Sequence, residues 1–155
     1  MARETDCAAI MNLIRELALY EKAPEAVINN EENLLRDGFG ADKRFTCFVA
    51  EQELQIIGIA LFYNAYSTWK GRYIYLDDIV VTEKFRRGGV GKKLFDEVIH
   101  HAESIGANQL RWHVLEWNTP AIEFYRKYKA SLDEEWIQCK LEVEQINSFN
   151  PPDSE

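Results

Sequence analysis

A mixed α/β sheet with helices on both faces is what the order of elements in this chain predicts. Three observations carry that expectation. Apolar residues recur at helical spacing up to Gly40, the period then changes to two for three successive stretches, and after a glycine-rich turn helical and extended stretches alternate. Size agrees with one domain: the chain has 155 residues, against roughly 150 per domain. A chain of that length buries about 70% of its unfolded surface without disulfide or metal staples. Apolar residues make up 46% and charged residues 28%, which excludes disorder as the main state.

The elements follow in order. Ile10, Leu13, Ile14 and Leu17 lie on one helical stripe, with Thr5 or Asp6 able to cap it. Asn29 with Glu32 resembles a capping box opening a second helix through Leu34 and Leu35, and Gly38 sits where a left-handed C-cap belongs. Phe45–Ala50 reads as a strand, Glu51–Glu53 as a turn, and Leu54–Tyr63 as a second strand in which Gly58 marks a bulge or a close approach. Tyr73–Val81 is a third strand, nearly all apolar except for Asp77 and Asp78. Alternation would point those two to opposite faces. Two carboxylates in a covered strand are costly unless employed or paired. A long helix from Val90 to near Gly106 follows the glycine-rich turn, then a strand over Gln109–Leu115. Thr119-Pro120 gives an N-cap with Pro at the first helical position, and that helix runs to about Lys127. Trp136–Val143 alternates and is expected to be the closing strand, with Ser148–Glu155 a loose tail; one domain over 1–147 is the resulting organisation.

Charge narrows the partners. The net charge is −8, which argues against a nucleic-acid surface and favours small cations. A local basic island (Lys84, Arg86, Arg87, Lys92 and Lys93 against Glu83) breaks the acidic background and suits a small phosphorylated ligand. Cys7, Cys47 and Cys139 are odd in number and far apart, as expected of reduced, buried thiols in the cytoplasm. His100, His101 and His113 lack metal-ligand spacing. No apolar run reaches membrane-spanning length, and the N-terminus lacks a signal peptide's regions, so no membrane is expected.

Chemistry concentrates in Phe85–Leu94, FRRGGVGKKL, where a strand enters a glycine-rich turn and then a helix N-terminus. Backbone N–H groups and the helix dipole there favour an anion, and glycine lets the backbone approach it closely. A Walker A loop would need Gly at 86 and Ser or Thr at 93, where the chain has Arg86 and Lys93; a dinucleotide loop starting at Gly89 would need glycine at Leu94. The pattern that fits is Arg86 followed by Gly89 and Gly91, the pyrophosphate signature of the GNAT acyl-CoA N-acetyltransferases. ELALYEK, LLRDGFG, YSTWKGRYIYLDDIVV, EWNTPAIEFYRK and Trp136 resemble, over about residues 5–143, the spermidine/spermine (diamine) acetyltransferases and their relatives the thialysine Nε-acetyltransferases.

That resemblance implies a GNAT fold with a sheet splayed at the acyl-CoA site, and acetyl-CoA as co-substrate. It implies that the backbone of Ile79, Val80 and Val81 pairs with the pantetheine arm, the N–H of Val80 or a neighbour acting as oxyanion donor. Arg86, Arg87, Gly88, Gly89, Val90, Gly91 and Lys92 would wrap the pyrophosphate, and Asn118, Pro120 and Ala121 would also meet the cofactor. Tyr125 matches the general acid that protonates the leaving thiolate. An alkylammonium with a pKa near 10.4 is neutral in roughly one molecule in a thousand at pH 7, so a proton acceptor is required. Asp77 matches the family's substrate carboxylate, usually Glu; the shorter side chain favours a water relay, and Asp78 is read as structural. Tyr20 and Glu21 match a substrate-binding pair, with Trp112 and Glu116 as further substrate contacts.

The chain departs from the family in four places. The first strand is nearly absent, so the start is expected upstream; Arg87 and Lys129 stand where glycine is usual; and Asp77 replaces Glu. Three functions are compatible with these residues. They are acetylation of a small di- or polyamine, the same chemistry on thialysine or a lysine-like amino acid, and a non-catalytic acyl-CoA sensor. Retention of Tyr125 and Asp77 argues against the last. By resemblance a cytoplasmic homodimer is expected.

Overall fold

The first helix, α1 (Cys7–Tyr20), forms on the stripe expected of it: Ile10, Met11 and Leu13 are buried while Asn12 and Arg15 face water. The computed structural model describes residues 1–149. These fall into two compact units, Met1–Leu115 and a second beginning at Glu116.

In the first unit α1 is followed by α2 (Glu31–Phe39). Its N-cap is Asn30 rather than Asn29: Asn30 has an extended backbone and its side-chain oxygen accepts from the Asn33 N–H at 2.9 Å. Gly38 is not the C-cap either. It is buried inside α2, where a Cβ would come within 2.5 Å of the Phe45 ring, and the cap is Gly40 with a negative φ.

Strands β1 (Thr46–Gln52), β2 (Gln55–Ser67) and β3 (Gly71–Val81) form an antiparallel meander, and β4 (Leu110–Arg111) joins β3 in parallel. The strand expected over Gln109–Leu115 is thus reduced to two residues. Helix α3 (Val90–Ser104) connects β3 to β4. On one face of the sheet Cys7, Ile10, Met11 and Leu13 of α1 pack with Leu34, Cys47, Ile59, Leu61 and Val80. On the other, Leu94, Phe95, Val98 and Ala102 of α3 are buried, and His101 contacts the rings of Phe48 and Phe62. A mixed, mostly antiparallel sheet with helices on both faces is therefore present.

Two irregularities in the ladder matter. Beside Gly58 the β1–β2 register shifts by one residue, and a Cβ there would sit 3.0 Å from the Val80 carbonyl, so Gly58 marks both a bulge and a close approach. In the β2–β3 pair Leu61 faces Asp78 and Phe62 faces Leu76, which leaves Asp77 as the extra residue of a second bulge.

The second unit holds α4 (Thr119–Arg126) and α5 (Val143–Asn147). The α4 N-cap is Asn118, one residue earlier than expected; its side-chain oxygen accepts from the Ala121 N–H at 3.3 Å, with Pro120 in the first turn. At the other end Lys129 donates to the Arg126 carbonyl (2.9 Å) and Ala130 to that of Tyr125 (3.4 Å), a Schellman closure with Lys129 at φ 58° in the left-handed position. Lys129→Gly is expected to raise stability by about 1 kcal/mol, read as a shift of the urea midpoint at unchanged slope. Residues 133–142 carry no regular secondary structure, so the strand expected over Trp136–Val143 is not formed; alternation makes a strand only where a partner supplies the ladder. Cys7 and Cys47 are buried, burial pushing the Cys47 thiol up to about 12, but Cys139 is exposed, against expectation. The expected tail lies, from residue 150, outside the described residues. Among those described, no helix is long and apolar enough to cross a membrane.

Candidate active site

The bulge in β3 decides where the two aspartates point. In a regular strand they would straddle the sheet. With Asp77 as the extra residue, Asp78 falls in phase with Leu61 and Val80 on the α1 face, and Asp77 opens to the same side. Both line one cavity of about 390 Å³, with Ile14, Leu34, Leu61 and Tyr63 among its walls. The expectation of opposite faces is corrected by this one inserted residue.

Burial and mutual repulsion act on these groups together. Asp78, half-buried, is pushed up to about 7, chiefly by burial and then by the charges of Asp77 and Glu21. Burial also raises Asp77 and Glu21 above the usual carboxylate range. The Tyr63 and Tyr75 rings stack at 5.2 Å, and burial together with the Asp77 charge raises both phenols. Tyr75 is hydrogen-bonded to His113 Nδ1. A carboxyl group that exchanges its proton near neutral pH, beside further carboxylates, suits a site that binds an ammonium ion and takes a proton from it. Asp78, expected to be structural, thus lies beside Asp77 in the cavity with its carboxyl raised.

Beyond Tyr75 no strand pairs with the outer edge of β3 among the described residues. The Thr82 N–H donates to the Ile57 carbonyl across β2 at 2.9 Å. By alternation the Val80 amide also belongs to that ladder, while Ile79 and Val81 turn their N–H and C=O groups outward. The Val81 carbonyl indeed accepts from Arg86 Nε on that side at 2.8 Å. An extended ligand could add to this edge as a strand does.

The glycine-rich loop is held from α1. Glu16 accepts from the Thr82 hydroxyl (3.1 Å) and the Glu83 N–H (2.9 Å) and lies 3.7 Å from the Arg86 guanidinium, which also sits over the Tyr20 ring at 5.2 Å. Sequence reasoning missed Glu16, which carries only the helical pattern of a solvated position. Arg87 and Gly89 both take positive φ, 65° and 80°, and turn the chain into α3. A Cβ at Gly89 would meet open space, and Gly91 is half-buried. Lys93 is the first residue to bond back within α3, to the Gly89 carbonyl at 3.0 Å. The N–H groups of Val90, Gly91 and Lys92 therefore point out of the helix start. These residues fit a diphosphate: outward N–H groups, a helix N-terminus and cations on one loop.

Within the first unit the structure thus brings Tyr20 to the Arg86 guanidinium and sets Glu21 and Asp77 within electrostatic reach of Asp78. Trp112 stands apart from the aspartates, its ring edge-on to Phe95 of α3 at 5.3 Å on the opposite face of the sheet. In the second unit Tyr125 is 5% exposed, its ring 5.2 Å from that of Phe124. Glu116 is exposed, and the Asn118 side chain caps α4.

Residues 8–129 match the acetyltransferase (GNAT) family. The thialysine N-epsilon-acetyltransferase of Mus musculus is 41% identical over 160 residues, covering 96% of this chain and 94% of that one. The spermidine/spermine N(1)-acetyltransferase-like protein 1 of Homo sapiens is 31% identical over 155 residues, covering 94% of this chain and 22% of its own. An aminoglycoside acetyltransferase from an uncultured soil metagenomic sample shares the fold with a TM-score of 0.74 at 22% identity, over 92% of this chain and 93% of that structure.

Proposed function

This chain belongs to the acetyltransferase (GNAT) family, and on that premise we propose that it moves the acetyl group of acetyl-CoA to a primary amine of a small di- or polyamine by direct attack on the thioester. The observation that carries the reading is the bulge that turns Asp77 and Asp78 into one cavity, on a strand whose outer edge leads into an anion-binding helix start. The family match supports one acetyltransferase domain over 1–147.

The chain's own groups divide the work. Glu21, Asp77 and Asp78 attract the ammonium group, and Asp78 or Asp77, directly or through water, takes its proton so that the neutral amine attacks. Tyr20, whose ring lies under the Arg86 guanidinium, is assigned a substrate contact by the family resemblance. The outward N–H of Ile79 or Val81 donates to the oxygen that gains charge as the amine adds. Arg86, Arg87, Gly88, Gly89, Val90, Gly91 and Lys92 hold the diphosphate. Tyr125 gives a proton to the departing thiolate, and Asn118, Pro120 and Ala121 border the cofactor. Trp112 and Glu116 rest on family alignment alone. The enzyme is proposed to work in the cytoplasm as a homodimer.

Acetylation of thialysine or a lysine-like amino acid is the second reading. It uses the same steps, and a relative of that name supports it. CoA release measured across putrescine, spermidine, spermine, lysine and thialysine tests both; release with none of them overturns the function. Arg86→Glu is expected to raise the acetyl-CoA KM by about tenfold or more through lost phosphate contact and new repulsion from Glu16. An unchanged KM would remove the loop from diphosphate binding.

A further inference from the structure

The cavity that holds the aspartates carries both signs of charge. Asp77 and Asp78 line it from β3, and Arg44, in the segment between α2 and β1, lines it as well. Arg44 is the one cation among its lining residues. Its place is fixed by the backbone, where the Arg44 N–H donates to the Asp37 carbonyl at 2.6 Å. Asp37 also lines the cavity, but its carboxylate is held by two guanidinium nitrogens of Arg36, at 2.7 and 2.8 Å. The Arg44 guanidinium instead pairs with Asp42, and the two side chains are 69% and 75% exposed. Ion pairs so exposed contribute little and are readily exchanged for another carboxylate.

This arrangement separates the two substrate classes left by the proposed function. A diamine is cationic at both ends and meets repulsion at Arg44. An amino acid with a side-chain amine presents an ammonium group to the aspartates and a carboxylate elsewhere. We propose that Arg44 binds the α-carboxylate of a lysine-like amino acid whose side-chain amine is directed at Asp77 and Asp78, making this cavity selective for the zwitterion over the corresponding diamine. The inference rests on reading the cavity as the amine site, and it favours the second substrate reading, a lysine-like amino acid, over the di- or polyamine.

Thialysine and bis(2-aminoethyl) sulfide, which differ only by the carboxylate, provide the test. Steady-state CoA release is measured for the full chain, Arg44→Gln and Arg44→Lys. The unaltered enzyme is expected to prefer thialysine. Arg44→Gln should lower the thialysine-to-diamine ratio of kcat/KM by about ten- to hundredfold, through a higher thialysine KM and a lower diamine KM. Arg44→Lys should restore part of the ratio, because a positive charge remains without the guanidinium fork. A ratio unmoved by Arg44→Gln, or an equal fall with both amines, overturns the role of Arg44 while leaving the acetyltransferase reading intact. Release of CoA with neither amine in the unaltered enzyme overturns this reading of the cavity, while the acetyltransferase reading is decided by the wider amine panel.

Discussion

Tyr125→Phe is expected to lower kcat by about a hundred- to ten-thousandfold, the range of a positioned general acid, while the acetyl-CoA KM stays within about twofold. The split follows from what the substitution removes. The ring and its packing against Phe124 remain, so the shape of α4 is kept and only the proton is lost. A thiolate leaving without a proton competes poorly with reversal of amine addition, so the loss falls on the chemical step. Steady-state kinetics at saturating amine, with acetyl-CoA varied, read both constants. A kcat within a few fold of the unaltered enzyme would remove Tyr125 as the acid.

Asp78→Asn is expected to produce the second large effect, and one with opposite signs in activity and stability. The carboxyl of Asp78 sits at about 7 in the folded chain. Below that pH it is protonated and cannot accept a proton; above it, it can. The pH profile of kcat/KM should therefore rise through about 7 in the unaltered enzyme. In the variant that limb should vanish and the value at pH 7.5 fall by about a hundredfold. Stability moves the other way. Raised above its unfolded value, Asp78 contributes stability that is fully present below about pH 4 and is lost as pH rises through about 7. The amide escapes that loss, so near pH 8 the variant should be more stable by as much as about 4 kcal/mol, and near pH 4 the two should coincide. Urea denaturation at the two pH values measures the difference. Equal offsets at both would show that no buried charge is relieved.

Much of this architecture was legible in the residues. The α1 stripe, the change to a period of two, and the glycine-rich entry to α3 each state their element locally, because helix and strand periodicities differ and glycine tolerates the turn. The glycine loop was legible as a motif, and Asp77 and Asp78 as the charged pair of an otherwise apolar strand; the substrate role of Asp77 rests on the family resemblance. What stayed hidden depends on long-range pairing. Nothing in Tyr73–Val81 itself reveals that β2 faces it with one residue fewer, so alternation alone points Asp77 and Asp78 to opposite faces. Arg44 sits in an irregular segment whose position is set by a backbone bond to the end of α2, which no periodicity encodes. Trp136–Val143 shows the converse: from Ile137 onward apolar and polar residues alternate, yet no ladder forms there.

The Asp77 bulge has a consequence for how such a hollow can arise. Because Leu61 still faces Asp78 and Phe62 still faces Leu76, excising Asp77 would leave every other cross-strand partnership in frame and close a plain ladder. The cross-strand pairing itself makes no demand for that residue. A single codon separates an unremarkable sheet from one bearing paired acids, which makes length, rather than composition, the heritable step by which chemistry could be added here.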